Sequence, residues 1–352
     1  MLSCVKTDQG KVEMIDLPEP VPGPGEIVVK MSLAAVCGSD LHFLDDMTSD
    51  TVNHIFPGCL QPFGLPMGHE GVGIVAAVGE GVTRFAEGDR VIAGSLTVCG
   101  RCDACLRGEG AICSGGGMLL FGCQAEYFTV PGADLIAARV PDAVPDEMAI
   151  LPTDIMSVAF AAIERARVPF GASAAIFAQG PVGLCATAAA RAGGCGLVIA
   201  VDTIPERLEV SKKMGANVVL NPRETDVVEA IMDLTGGRGV DVAVEAVGTQ
   251  ATFEGCTQVV RRGGAVSSVG IYANAAALSM STYAPSFLQR RILTTLAPTG
   301  RVRMEELLAF LEHGDADLSP LITHRFPLAE APAAYDLFRS RADGVIKAVL
   351  VP

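Results

Sequence analysis

The chain has 352 residues, half of them apolar, and a formal net charge of −14. That length predicts two domains, each with a sizeable core. The acidity, without any Lys/Arg-rich block, argues against nucleic acid and anionic membranes as partners. No run of 18 apolar residues occurs, and the N-terminal stretch carries charges where a signal peptide needs its apolar region, so a cytoplasmic protein is expected. Eleven cysteines, some of them clustered, then point to metal before disulfides.

In chain order, the first 150 residues hold short apolar runs broken by Gly and Pro: VEMIDLPEPVPGPGEIVVKMSLAAV, GVGIVAAVGEGVTRFAEGDRVIAG and AEYFTVPGADLIAARVPD. These read as strands joined by tight turns, an irregular all-β unit. From Leu151 the texture changes. ASAAIFA, LVIAVD, NVVLN, VDVAVEAVG, GAVSSVGI and RRILTTLA are separated by helical segments. Continuous apolar strands alternating with helices predict a doubly wound parallel sheet. The tail from Thr299, with RMEELLAFLEHG and VIKAVLV, is expected to return to the first domain.

Between the first two of these strands lies AQGPVGL, residues 178–184. Gly180 and Gly183 match the second and third glycines of the dinucleotide fingerprint, with Pro181 and Val182 between them. Ala178 stands where the first glycine belongs, which is acceptable if its φ stays negative. The following helix start offers its N–H groups to a pyrophosphate. Asp202 ends the second strand 19 residues beyond Gly183. A carboxylate there accepts from ribose hydroxyls and repels a 2′-phosphate, so NAD is expected over NADP. The alternative is a solvated strand-end residue.

Cys99, Cys102, Cys105 and Cys113 share one Gly-rich, polar loop. Four thiolates fill a tetrahedral zinc shell, so this site is expected to be structural and closed to substrate. An open zinc site needs three protein ligands and a vacancy. CGSDLH offers Cys37, Ser39, Asp40 and His42, and GHEGVG offers His69 and Glu70.

Taken together, CGSDLH, GHEGVGIVAAVGEGVTRFAEGDRV, the four-cysteine loop, AQGPVGL, GVDVAVEAVG and GVIKAVLVP resemble the zinc-dependent alcohol dehydrogenases of the medium-chain dehydrogenase/reductase superfamily, over nearly the whole chain. The resemblance implies a GroES-like β-barrel catalytic domain, 1–153 with 295–352, and a Rossmann NAD-binding domain, 154–294, with the active site in the cleft between them. It implies two zinc ions per chain. Cys37 and His69 match catalytic zinc ligands, and Asp154 in LPTDIMSV matches the third ligand of a bacterial secondary-alcohol branch; its alternative role is a helix N-cap. Asp40 is expected to orient His69 through the second ring nitrogen. Glu70 is expected behind the metal, with transient coordination open to it; the alternative for both Asp40 and Glu70 is an ordinary buried ion-pair partner. Lys347 is expected near the pyrophosphate unless it is merely solvated. Leu296 and Ala297 fall where the branch lines its substrate pocket.

The implied reaction is oxidation of an alcohol, expected to be secondary, with hydride passing to NAD and the proton leaving through Ser39, a nicotinamide ribose hydroxyl and His42. A small alcohol or ketone is the expected partner, and a homotetramer or homodimer the expected assembly, with the sheet edge from GVDVAVEAVG to VSSVGIYA as a contact. Polyol or amino-alcohol oxidation is the alternative within the superfamily, and a catalytically silent binding or structural relative the alternative outside it. The segment 45–67 looks about ten residues longer than in compact bacterial members. It either shapes a pocket for a larger substrate or is an ordinary surface insertion. The branch with Asp as third ligand often uses NADP and often lacks the cysteine loop, which sets this chain apart.

Overall fold

The computed structural model describes residues 1–8, 10–115, 117–272, 289–314 and 316–352. It divides into two units. The first is Met1–Ser157 with Ala297–Asp315 and Ile322–Pro352; the second is Val158–Leu296 with Ala316–Leu321. Two joins lie two to four residues beyond the positions expected from the sequence, and Ala316–Leu321, expected in the first domain, groups with the second unit.

In chain order the strands are β1 (Leu2–Asp8), β2 (Lys11–Asp16), β3 (Ile27–Ala35), β4 (Leu65–Pro66), β5 (Gly71–Val78), β6 (Arg90–Ala93), β7 (Tyr127–Val130) and β8 (Ala137–Arg139) in the first unit. The second unit holds β9 (Ser173–Phe177), β10 (Leu197–Val201), β11 (Val218–Leu220), β12 (Val240–Glu245), β13 (Val260–Ser268) and β14 (Arg291–Thr294). Strands β15 (Ile322–Pro327) and β16 (Lys347–Val351) belong to the first unit again.

In the first unit, β15-β16-β3-β5-β6-β8 form one sheet, with β7 added on β3, and β2-β1-β4 form a smaller one. Ile27, Val29 and Met31 of β3 pack with Val75, Val91, Phe128, Ile136 and Leu350 in a common core. Apolar side chains from six separate segments thus converge, the C-terminal strand among them.

The segment 45–67 is more ordered than an insertion of loops would be. Residues His42–Asp46 form one π-helical turn, and Ser49–Ile55 an α-helix whose N-cap, Thr48, accepts from the Thr51 N–H at 3.2 Å. Phe56 meets Phe43 and Phe121 edge to face, with centroids 5.5–5.7 Å apart across the triad. Val52 and Cys59 are buried in the unit's own core, Leu60 is half-buried and Phe63 is exposed. The sequence reading of an all-β unit missed this helix because two turns are too short for a 3.6-residue apolar period to register.

In the second unit the sheet order is β11-β10-β9-β12-β13-β14, every pairing parallel. This is the doubly wound order whose direction reverses between β9 and β12. All six apolar runs read from the sequence are strands in it. One expectation is corrected: β12 and β13 do not form a sheet edge, because β14 covers β13 through the Ala265–Arg291 to Ser268–Thr294 register. The last residue of that expected contact, Ala273, lies outside the described residues. Among the described residues, no helix is long and apolar enough to cross a membrane.

Candidate active site

The first unit brings Cys37, His69, Glu70 and Asp154 together, with one donor atom from each all lying within 4.8 Å of one another. Cys37 follows β3 and caps the one-turn helix Gly38–Leu41; His69 and Glu70 precede β5; Asp154 precedes the helix Ile155–Ala166. Because β3 and β5 are antiparallel neighbours, pairing Ala34 with Gly71, the two ligand-bearing ends meet. Asp154 Oδ2 lies 3.5 Å from both Cys37 Sγ and His69 Nε2, and its Oδ1 accepts from the Ser95 hydroxyl at 3.2 Å. The carboxylate is thus committed to the cluster. Its side chain keeps 18% exposure, while His69 keeps 2%, so Asp154 lies on the open side.

Asp40 is buried, with Oδ2 accepting the Cys37 N–H at 2.9 Å and Oδ1 3.0 Å from His69 Nδ1, an ionic contact off the line of an ideal hydrogen bond. One carboxylate therefore braces two donors. Ser39 Oγ lies 3.3 Å from His69 Nε2, beside the donor atoms. His42 sits half-buried in the π-helical turn.

Electrostatics favour a cation here. Burial alone would lower the His69 pKa, but Asp40, Asp154 and Cys37 lift it well above the usual imidazole value. Burial, Glu70 and Asp154 push the Cys37 thiol up. A buried thiol and three carboxylates against one lysine make a site that holds protons for want of other positive charge. A thiolate, an imidazole and a carboxylate suit zinc, which would take the place of those protons.

Two expectations about Lys347 are corrected. It is neither solvated nor held out toward a phosphate: its side chain is 1% exposed, and Nζ lies 2.8 Å from both carboxylate oxygens of Glu70. Although burial opposes it, Glu70 and Cys37 raise the lysine's pKa and keep it charged. An ionised side chain inside an apolar strand must be paired, and β16 places it across from Glu70. A lone Lys in VIKAVL was the signal for that pairing.

The four-cysteine loop is compact. Sγ separations are 3.5 Å for Cys102–Cys105 and 3.9 Å for Cys99–Cys105 and Cys102–Cys113. A tetrahedron with zinc–sulfur bonds of about 2.3 Å has edges of roughly 3.8 Å, so the cage fits the ion. Backbone N–H groups of Cys99 and Cys102 point at the Cys113 and Cys99 sulfurs. N–H groups of Cys105 and Ser114 hold the Cys102 thiol down to about 5.

In the second unit, the helix Pro181–Ala192 starts at Gly180, with Pro181 in its first turn. Gly183 has no room for a side chain: a Cβ would stand 1.8 Å from the Ala178 carbonyl. Ala178 itself is a correction, since its φ is +74° rather than negative. The turn needs the left-handed conformation there, and alanine bears a strain of roughly 1–2 kcal/mol. Asp202 is not a solvated strand end. It is 8% exposed and accepts the N–H groups of Gln179 at 2.5 Å and Ile204 at 2.9 Å. It thereby ties the end of β10 to the phosphate turn.

The alcohol dehydrogenase GroES-like domain profile matches residues 23–142, and that of the zinc-binding dehydrogenase domain matches residues 181–313. The chain is 39% identical to an alcohol dehydrogenase of Cupriavidus necator, over 100% of this chain and 99% of that one. It is 31% identical to an NADP-dependent isopropanol dehydrogenase of Thermoanaerobacter brockii, over 97% of each. The solved alcohol dehydrogenase of Thermus sp. ATN1 superposes with a TM-score of 0.88 at 31% identity, covering 100% of this chain and 99% of that one. With its donor clusters, its GroES-like unit and its doubly wound sheet, the chain belongs to the zinc-dependent alcohol dehydrogenases of the medium-chain dehydrogenase/reductase superfamily.

Proposed function

We propose that Cys37, His69 and Asp154 hold the catalytic zinc of a secondary-alcohol dehydrogenase that uses NAD, and that Cys99, Cys102, Cys105 and Cys113 hold a second, structural zinc. The observation that carries this reading is the buried donor cluster with one partly open carboxylate and the Ser39 hydroxyl beside it. Bound there, zinc supplies a Lewis acid that acidifies an alcohol hydroxyl.

The chain's own residues do the rest. Asp40 fixes the His69 ring and the Cys37 backbone. Glu70, neutralised by Lys347, sits at the cluster without adding net charge. Ser39 would accept the alcohol's proton, and His42, half-buried in the π-helical turn, would serve as the outer member of the same relay and release it to water. Gly180, Pro181, Val182 and Gly183 present the helix start to the pyrophosphate. Asp202, with two backbone donors already on it, keeps lone pairs for the ribose hydroxyls and repels a 2′-phosphate. The relative named for NADP makes this the sharpest part of the proposal. A homodimer or homotetramer is the proposed assembly, which light scattering checks.

The test is absorbance at 340 nm with NAD or NADP and a panel of primary, secondary, cyclic, polyhydroxy and amino alcohols. Secondary alcohols reducing NAD, with little from NADP, is the expected result. Preference for NADP overturns the role of Asp202. Faster turnover of polyols or amino alcohols overturns the substrate class.

A further inference from the structure

Behind the donor cluster runs a buried hydrogen-bond chain that none of the roles above uses. The Tyr335 hydroxyl donates to Gln124 Oε1 at 2.9 Å. Gln124 Nε2 donates to the Ala35 carbonyl at 3.0 Å and, at a longer 3.4 Å, to Asp40 Oδ2. Asp40 in turn meets the Cys37 N–H and His69 Nδ1. Tyr335 and Gln124 are fully buried, and Asp40 nearly so. Tyr335 lies on the helix Ala331–Ser340, some 300 residues from Cys37 in sequence.

The chain has one direction. If the Gln124 amide were flipped, its oxygen would face both the Ala35 carbonyl and the Asp40 carboxylate, which repel it. Burial and the nearby Asp40 raise the Tyr335 pKa far above the usual phenol value, so the hydroxyl stays a donor. Gln124 also grips the other ligand-bearing segment. Its N–H bonds the Met67 carbonyl at 3.1 Å, and its side chain lies so close to Gly68 that a Cβ there would stand 2.3 Å from Cγ. Gly68, at φ +84°, immediately precedes His69. One glutamine therefore touches the segment leading to Cys37, the segment leading to His69, and the carboxylate that joins them.

We propose that Gln124 and Tyr335 are positioning residues of the catalytic zinc site: Tyr335 fixes the Gln124 amide, and Gln124 fixes Asp40 and, through it, the Cys37 and His69 donors. This rests on the ligand set proposed above. Outer partners of metal ligands typically change metal affinity or activity by 10- to 100-fold when removed.

The experiment measures zinc release to a chromogenic chelator from the full-length wild type, Tyr335→Phe, Gln124→Leu and the double variant. Cys37→Ser identifies which phase belongs to the catalytic site, and the four-cysteine site serves as an internal control. Cobalt-substituted protein gives a second readout, through the ligand-field bands of the catalytic metal. Tyr335→Phe removes a single oxygen and keeps the ring. It is expected to speed catalytic-site release about tenfold, leave the other phase unchanged and shift the cobalt bands. Gln124→Leu is expected to release faster still, with the double variant no faster than Gln124→Leu alone, because the hydroxyl then has nothing to orient. Equal acceleration of both phases shows general loosening and overturns the proposal. So does an unchanged catalytic phase in Tyr335→Phe, which decides the matter even if Gln124→Leu fails to fold. A wild type that binds only one zinc, with Cys37→Ser binding the same amount, overturns the ligand set and this inference together. Two zincs with unchanged release overturns the inference alone.

Discussion

The two donor clusters of the first unit are built on opposite plans. The four cysteines lie within 15 residues of sequence, on a half-exposed loop, and are oriented by N–H groups of the loop itself. The cluster of Cys37, His69 and Asp154 draws on three distant segments, lies largely buried, and leans on Asp40, Gln124, Lys347 and Tyr335. A loop whose own backbone N–H groups orient its thiolates can form a closed, four-thiolate shell. A site that must leave room for substrate has fewer donors, so its geometry depends on the surrounding fold.

The largest test of this contrast is Cys37→Ser. Loss of a Lewis acid worth several kcal/mol in the transition state should lower kcat/KM by roughly a thousandfold or more. Zinc content should fall from two to one per chain, while the melting temperature changes little. Loss of both ions would mean that the clusters are not independent.

Cys102→Ser should do the reverse. The remaining ion should stay in the catalytic site, and Tm should fall by about 5–10 °C, the shift expected for a loss of a few kcal/mol in a chain of this size. Protein that remains folded should keep most of its turnover. A thousandfold loss of activity at unchanged Tm would make the cysteine loop part of the chemistry.

Ser39→Ala is expected to lower turnover by about 10- to 100-fold without changing zinc content, in line with the loss of one positioned proton-transfer group. His42→Ala should cost less. A wild-type rate in Ser39→Ala would remove the relay.

The smallest effect is expected in the second unit, away from the two donor clusters. Burial would raise the Asp241 pKa, yet the Ser173 N–H and hydroxyl together with Arg261 and Arg238 hold it well below the ordinary carboxylate value. A depressed folded pKa adds stability that is present above the unfolded value, near 4, and is lost as pH falls below it. Asp241→Asn should therefore cost about 2 kcal/mol at neutral pH. The gap from wild type should close below pH 4, and two zincs should remain bound. Chemical denaturation at several pH values checks this.

How far the site was legible follows the same division. The cysteine loop, the GPVG turn and Asp202 each lie within one short segment, so spacing alone was enough to single them out as candidates. Cys37, His69 and Asp154 could be singled out as one set only through resemblance, because one Cys, one His and one Asp 32 and 85 residues apart have no ligand spacing to read. The sign of the Ala178 φ went the other way from the expectation because alanine normally avoids the left-handed conformation and nothing in its local sequence marks it. The helix Ser49–Ile55 escaped because its stability comes from Phe43, Phe56 and Phe121 meeting in space rather than from its own short pattern.

By itself, the sequence determined the six parallel strands, the phosphate turn and the cysteine cage, since each is set by local periodicity or spacing. Only the tertiary structure decided that Lys347 neutralises Glu70, that Asp40, expected at His69, also holds the Cys37 N–H, and that Gln124 and Tyr335 stand behind them. Those are contacts between groups buried away from water, where each charge or polar atom must find a partner, and the partner is chosen by how the strands pack and not by its place in the chain.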